Sequence, residues 1–492
     1  MLNKRSRSSS AAYKRNLIEA SLCHALMSAG ADQSYVSPLL LAVGLFIHRE
    51  TRSKLIIDVL AALGFCATYK VINEFETNAA LNYKADQLHP ALDSYTVFLQ
   101  WVADNFDLNE DTLDGKSTTH TMGIITCATP KTNISKTAVK RGQTESSEIL
   151  QNGHFSSLVK SYVPPNKLKP SSPFVLKRIP PSSLKVDTTW MQCIDNLWIM
   201  SFKLSPNAPM WQGFMAETTK SGSPECTAVI FNPMIPLNPN SDDGVYSTMI
   251  YVRDQADRAS KCCAILTFDQ PLYARAVKIQ QCCSDKFDKL FLRIGGFHQL
   301  MSFLGATCKL MQGSGLEKLL ETIYAPHSVP KMMEGKAYTR ILRALLLIDC
   351  ALHHTMVDTY LTNDLEIDHN SPNLTEAEWI DLKKHLKTIY ESLMQNQISL
   401  QNAACTPEVE KLASILNVMY MKYQVRRTSK LWLNLCKCIG IARRFIQAER
   451  SGNWKLHLHA CEEMLPILAA AGHNNYTKYI RYYSQCCNNL CK

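Results

Sequence analysis

Two aspartates close apolar runs in this sequence: Asp104 ends YTVFLQWVADN and Asp269 ends CAILTFDQ. Each run suits a central strand, and a carboxylate at the end of such a strand emerges at the sheet edge, where open α/β sheets bind ligands. Two carboxylates a few ångströms apart would offer hard oxygen ligands to Mg²⁺ or Mn²⁺, ions that activate an attacking oxygen and steady a leaving one. An Asp before a Pro-initiated helix is also an ordinary N-cap, and Gln270-Pro271 follows Asp269 directly, so the cap reading stands beside the metal reading. His298, in Gly295-Gly296-Phe297-His298 at a helix start, is a third candidate for the same chemistry. It could contact a phosphate or a metal, or be a hydrogen-bonded structural histidine; His120, in KSTTHTMG, is open to the same two readings.

Other chemistry has less to stand on. There is no GxSxG elbow, no HExxH and no Walker loop. The clusters CALHH (Cys350, His353, His354) and HLHAC (His457, His459, Cys461) bring soft ligands close together, but on a helix His457 and Cys461 share a face and His459 does not, which favours incidental use. Eighteen cysteines without a CxxC pair, in a chain with no secretory signal pattern, read as reduced thiols inside a cell. The longest apolar run, Pro38 to Ile47, is about half of what a bilayer requires, so no membrane span is expected.

The net charge of +10 is unevenly placed. Residues 131–189 hold ten Lys or Arg, among them Lys140, Arg141, Lys177 and Arg178, against three acids. A second basic segment, MYMKYQVRRTSKLWLNLCKCIGIARRF, interleaves Arg426, Arg427, Arg443 and Arg444 with Tyr420, Tyr423 and Trp432. Cations among aromatics suit a phosphate backbone with stacked bases, and a solvated helix face has the same composition. These eight cations are the candidate nucleic-acid contacts.

The elements that must position these residues follow from periodicity. Residues 12–90 show apolar residues at three- and four-residue steps, with Ser37-Pro38 as a helix start. Between residues 91 and 130 two strands are expected, joined by the turn-rich DNFDLNEDTLDGKS. Residues 131–189, with Pro164-Pro165 and Pro180-Pro181, read as an irregular basic excursion. WMQCIDNLWIMSF reads as strand-like, CTAVIFNPMI as a strand, VYSTMIYVRDQADRA as a helix, CAILTFD as a strand, PLYARAVKIQQCC as a helix and KLFLRIGG as a strand. From Phe297 onward nearly everything is helical. The expected fold is mixed α+β, with four parts: an N-terminal helical domain (1–90), a ribonuclease-H-like α/β core (91–130 and 190–296), the basic excursion (131–189) and an all-helical region (297–492). In that topology Asp104 ends the first core strand and Asp269 the fourth, the two strands are adjacent and parallel, and the carboxyls approach within roughly 4 to 8 Å.

Five blocks add a resemblance: VADNFDLNEDTLDGKSTTHTMGII, TFDQPLYARAVKI, LRIGGFHQLMSFLGATCKLMQGSGLEKLLETIYAP, MEGKAYTRILRALLLIDCAL and MLPILAAAGHNNYTKYIRYY. In this order, from about Ser37 to Tyr483, they resemble an uncharacterised, multicopy family of cnidarian, echinoderm and fish proteins that looks transposon-derived and is distantly similar to DDE-type transposases. The resemblance implies a transposase-derived protein with DNA as partner, a nuclear location, and Mg²⁺ or Mn²⁺ if the carboxylate pair is functional. It also implies a third metal-ligand acid in a block beyond Lys492, and hence little or no strand transfer by these residues alone. The expectation from another class is a helical interaction scaffold with no nucleic-acid role.

Overall fold

The computed structural model describes residues 4–30, 35–82, 96–109, 118–130, 158–164, 186–219, 225–361 and 374–490. The chain divides into two compact units, residues 1–93 with 133–159, and residues 94–132 with 160–492. Most of the basic excursion, including Lys140, Arg141, Lys177 and Arg178, lies outside the described residues. Among the described residues no helix is long and apolar enough to cross a membrane, and no two cysteines form a disulfide.

The first unit contains helices α1 (Lys4–Gly30), α2 (Pro38–Thr51), α3 (Lys54–Ala62) and α4 (Tyr69–Asn82). The Ser37 hydroxyl caps α2 by accepting the Leu40 N–H, with Pro38 in the first turn, where its missing donor costs nothing. Ile57, Cys66 and Ile72 form the core of this small bundle. A Cβ at Gly44 would stand 2.7 Å from Ile72 Cδ1, so the Ile72 side chain would have to move to admit one.

The second unit is built on a five-stranded sheet. Its strands are β1 (Phe98–Asn109), β2 (Thr118–Thr129), β3 (Ala228–Phe231), β4 (Ala264–Phe268) and β5 (Leu290–Ile294), in the spatial order β3-β2-β1-β4-β5. β1, β2 and β3 form an antiparallel meander, while β4 and β5 run parallel to β1. Helix α7 (Asp242–Arg258) leads from β3 into β4, and α8 (Gln270–Cys282) from β4 into β5. The strand runs on either side of the basic excursion thus share one sheet. Val97 just before β1, and Leu99, Trp101 and Ala103 on it, alternate into the core, which fixes the register, since a slip of one residue would turn all of them outward. β1 runs on through Asn109, a stretch whose composition reads as a turn, because pairing with β2 as far as Asn109–Thr118 satisfies its backbone.

WMQCIDNLWIMSF is the clearest correction: it forms helix α5 (Thr189–Leu204), not a strand. Residues 193–201 are buried all round, and a segment enclosed on every side shows no polar face to reveal its period. α6 (Trp211–Thr218) follows. After β5 come α9 (Gly296–Leu310), α10 (Leu316–Glu321), α11 (Val329–Met333), α12 (Tyr338–Leu361), α13 (Glu376–Met394), α14 (Leu400–Ala404), α15 (Pro407–Tyr423), α16 (Arg427–Ser451), α17 (Trp454–Ala470) and α18 (Asn474–Leu490). α5 is the axis of this helical part and packs against α12, α13, α14 and α15.

One side chain ties three of these helices together. Arg443 of α16 is 5% exposed. Its Nε donates to Asp195 of α5 at 2.8 Å, and its Nη1 donates to Asp349 of α12 at 2.6 Å. The guanidinium also stacks over Trp198, 5.7 Å from the ring centre, and Trp211 Nε1 donates to the remaining oxygen of Asp195 at 3.0 Å. Removing one partner of a buried ion pair strands the other charges. Arg443→Ala should therefore lower the unfolding free energy by about 3–5 kcal/mol, whereas Arg427→Ala, at an exposed position, should stay within about 0.5 kcal/mol. Urea unfolding followed by circular dichroism measures both, and a loss below about 1 kcal/mol at Arg443 would contradict the central role given to this residue.

Candidate functional site at the end of the parallel strands

The register of the sheet decides which side chains can meet. Trp101 pairs with Leu266 and Val102 with Thr267 across the parallel β1–β4 contact. Continued two residues further, the same register sets Asp104 level with Asp269, on strands about 4.8 Å apart. By the alternation of a strand, Asp104 shares its face with Gln100, whose amide donates to Thr267 of β4 at 2.8 Å. Asp104 does not end its strand, as expected from sequence; it stands where β1 leaves β4 behind and continues with β2 alone.

His298 is brought to the same place by two glycines. The Gly295 N–H donates to the Phe268 carbonyl at 2.7 Å, tying the end of β5 to the end of β4. A Cβ on Gly295 would lie 3.2 Å from that carbonyl oxygen. A Cβ on Gly296 would lie 2.9 Å from the Glu449 carboxyl carbon. α9 can therefore start against the sheet, and its first turn sets His298 Nε2 3.7 Å from Asp104 Oδ2.

The three groups respond to one another. Contact with His298 holds the Asp104 carboxyl below its ordinary value, against the effect of partial burial. Burial pushes Asp269 up, and the Asp104 charge adds to it, while the Leu272 N–H and His298 pull the other way. His298 is raised by its contact with Asp104 first, with the charges of Asp104 and Asp269 adding to it, against the effect of burial. Asp269 is also the N-cap of α8, accepting the Leu272 N–H at 3.0 Å, so the cap reading and membership of this group are both true of it. Tyr476 of α18 is pushed up to about 12, by burial first and by the Asp269 charge second. Sequence gave no hint of Tyr476, because α18 follows Asp269 by some two hundred residues.

Further along the same sheet face lies a cavity of about 590 Å³, lined among others by Gln100, Phe291, Arg293, Glu449, Trp454 and His457. Arg293 Nη2 donates to both Glu449 oxygens at 2.6 and 2.8 Å. His457 Nδ1 stands 2.7 Å from Glu449 Oε1, an ion-pair contact rather than a straight hydrogen bond. Its Nε2 faces Tyr483 Oη at 3.2 Å and Cys461 Sγ at 3.6 Å. His457 and Cys461 share a helical face as their spacing implies, but both are buried in this network. His459 points elsewhere, toward Glu463. Burial opposes charge on His457, yet Cys461 and Glu449 outweigh it and raise the group from 6.5 to about 9. Burial likewise opposes charge on Glu449, and His457 with Arg293 outweighs it, lowering the group from 4.5 to about 2.

The basic residues divide. Arg426 and Arg427 are exposed at the start of α16. Arg443 is a correction, since it is enclosed by Asp195 and Asp349 and faces no phosphate. Arg444 is spoken for by Glu463, with Nη2 at 2.8 and 2.9 Å from its two oxygens and Nε at 3.0 Å. In a helix, cations that read as one basic run alternate between the interior and the surface. His120 makes only a local contact across the β1–β2 hairpin, to Asp107 Oδ1 at 2.7 Å.

Comparison with known proteins finds one family: the model described as Domain of unknown function (DUF8702) matches residues 210–492, more than half of the chain. Asp269 and His298 fall inside that match and Asp104 outside it. No curated protein and no solved structure matches.

Two titrations check this geometry. Asp104→Asn should lower the His298 pKa, and Asp269→Asn should lower it less; imidazole NMR titration reads both, and an unmoved His298 would mean that the three groups are not in contact. For the Glu449–His457 pair the signs run in opposite directions. Its stabilisation should be full between pH 4.5 and 6.5, fade as pH falls toward about 2, and fade as pH rises from 6.5 to about 9. Thermal melts across pH should show the alkaline loss in the native chain, and His457→Gln should flatten it.

Proposed function

We propose that this chain, which belongs to the DUF8702 family, is a transposase-derived nucleic-acid-binding protein whose sheet is a ribonuclease-H-like core and whose Asp104 and Asp269 form a reduced divalent-metal site. The observation that carries the reading is the strand order β3-β2-β1-β4-β5, with β1 and β4 adjacent and parallel and an aspartate just past the paired part of each. That is the arrangement the ribonuclease-H-like reading requires of the first and fourth strands, an argument by fold analogy.

The donor set fits Mg²⁺ or Mn²⁺. Both ligands are hard carboxylate oxygens, and each acid commits one oxygen to a backbone N–H, Asp104 to Asn105 at 2.8 Å and Asp269 to Leu272 at 3.0 Å. Burial first, and the Asp104 charge in smaller part, raise the Asp269 pKa, and a shared cation would offset both. A bound ion would supply positive charge to polarise a phosphoryl oxygen. His298 stands beside the pair, its Nε2 3.7 Å from Asp104 Oδ2. Among the described residues, one group of three His, Cys, Asp or Glu side chains has ligand atoms all within 4.8 Å, and it is not this one. A site of two carboxylates with no third at that range supports weak metal binding and little or no strand transfer. For the nucleic acid itself, Arg426 and Arg427 are the exposed candidates among the described residues. A nuclear location belongs to the same proposal.

A helical interaction scaffold is the second reading. What favours it is an apolar groove of about 620 Å³ between α10, α12 and α16, lined by Leu319, Ile323, Tyr324, Leu352, Trp432 and others.

Three measurements on the purified chain test the proposal. Mn²⁺ should broaden the His298 resonances with an affinity on the order of 10⁻⁴–10⁻³ M, as for sparsely liganded oxygen sites, and Asp104→Ala should abolish the effect. DNA affinity should fall with salt at a log–log slope of about −4 or steeper; absent or salt-independent binding favours the scaffold. Robust Mg²⁺- or Mn²⁺-dependent nicking that is lost on Asp269→Ala would overturn the claim of inactivity.

A further inference from the structure

The interior where α5, α12, α15 and α16 meet holds more chemistry than an ion pair needs. Asp349 and His353 are four residues apart on α12 and share a face. Cys436 of α16 reaches the same point, and one ligand atom from each of the three lies within 4.8 Å of the others. All three residues are buried. Asp349 gives Oδ2 to Arg443, but its Oδ1 is buried without a directed hydrogen bond. His353 Nδ1 is 3.2 Å from that oxygen and makes its closer contact, 2.8 Å, with the Asp349 backbone carbonyl, and the Cys436 thiol is the other donor beside this carboxylate. An unmatched buried carboxylate oxygen is costly, and a bound ion is one reason a native structure keeps one.

The histidine is set as metal-binding histidines are. A carbonyl can only accept, so Nδ1 is the donor in that contact, and in the neutral ring Nε2 keeps its lone pair, facing the Tyr420 hydroxyl at 3.0 Å. An imidazole anchored through one nitrogen to the backbone presents the other in a fixed direction. Burial beside Asp349 pushes the Cys436 thiol far above its ordinary value, which speaks against a thiolate nucleophile.

Asp195 and Asp349 face one guanidinium; both Asp195 oxygens accept hydrogen bonds, from Trp211 and from Arg443, but burial outweighs them and pushes the Asp195 carboxyl above its ordinary value. A divalent ion would displace the Cys436 proton to solvent and meet the thiolate and the Asp349 carboxylate with two positive charges. A path in exists: a cavity of about 440 Å³ is lined by Asp195, His353, Tyr420, Cys436 and Arg443.

We propose that Asp349, His353 and Cys436 bind one Zn²⁺ ion, with water in the fourth tetrahedral position on the cavity side. Mixed oxygen, nitrogen and sulfur ligands suit this borderline-soft ion rather than Mg²⁺, and three protein ligands with one open position are the pattern of a reactive zinc rather than of a closed structural one. The site is separate from the Asp104–Asp269 pair in both position and ligand chemistry.

Cobalt substitution tests it on the full chain, stripped with chelator and titrated with Co²⁺. The expected result is one equivalent bound with an intense near-ultraviolet sulfur-to-cobalt band and the visible bands of a tetrahedral ion, all displaced by Zn²⁺. Cys436→Ser should lose the sulfur band, and His353→Gln should bind at least about tenfold more weakly. Asp104→Ala should keep the sulfur band, which assigns it to the buried cluster. Circular dichroism checks the fold of each variant, and if the substitutions at the cluster unfold the chain, the native protein decides alone. Absence of stoichiometric Co²⁺ or Zn²⁺ binding, absence of the sulfur band, or a band that survives Cys436→Ser overturns the proposal.

Discussion

The buried guanidinium of Arg443 is the interaction on which the helical part of the second unit depends. A charge 5% exposed is tolerable only where carboxylates and hydrogen bonds replace its lost water. Here they come from α5 and α12, two elements far apart in the chain, so satisfying one side chain fixes the mutual placement of three helices. The requirement is stricter than apolar packing, because an ion pair displaced by an ångström leaves a buried charge unmatched, whereas a displaced leucine loses only part of its contact.

At the sheet end a different constraint operates. β1 is shared between an antiparallel hairpin with β2 and a short parallel contact with β4, and Asp104 falls where the second ends and the first continues. The Gly295-Gly296 turn then lets α9 begin in contact with the end of β4 and with Glu449. A Cβ at Gly295 would crowd the Phe268 carbonyl, and one at Gly296 would displace the Glu449 carboxylate. Backbone register and the absence of two Cβ atoms assemble this group, and its electrostatics follow from that.

The two clusters differ in what they could hold. Asp104 and Asp269 offer oxygen only, at a partly solvated edge, where ions keep most of their water. Asp349, His353 and Cys436 offer oxygen, nitrogen and sulfur in the interior, where a desolvated and more polarisable ion is accommodated. One chain thus sets hard and soft donors in separate parts of one unit.

Much of this was legible in the residues. Short apolar runs marked the strands β3, β4 and β5, helical spacing marked α7 and the Pro271 start marked α8, because strands enclosed in a sheet are apolar and a proline fits the first turn of a helix. Asp269 and His298 were legible as candidates because each stands at the end or start of an element, and Asp104 because it follows an apolar run, although β1 continues past it to Asn109. The period fails where a segment is enclosed on all sides, which is why α5 reads as a strand, and it is silent on what lies across the fold. Nothing local distinguishes Arg443 from Arg427, yet one is interior and the other wet, since a helix turns about 100° per residue and only the packing says which direction is inward. Glu449 for Arg293, Tyr476 for Asp269 and Cys436 for Asp349 are partners set far apart in sequence by chain topology. The sequence by itself determined the elements and the residue types able to do chemistry, and the tertiary structure decided which of them meet, because burial and long-range pairing are properties of the assembled chain and not of any segment in it.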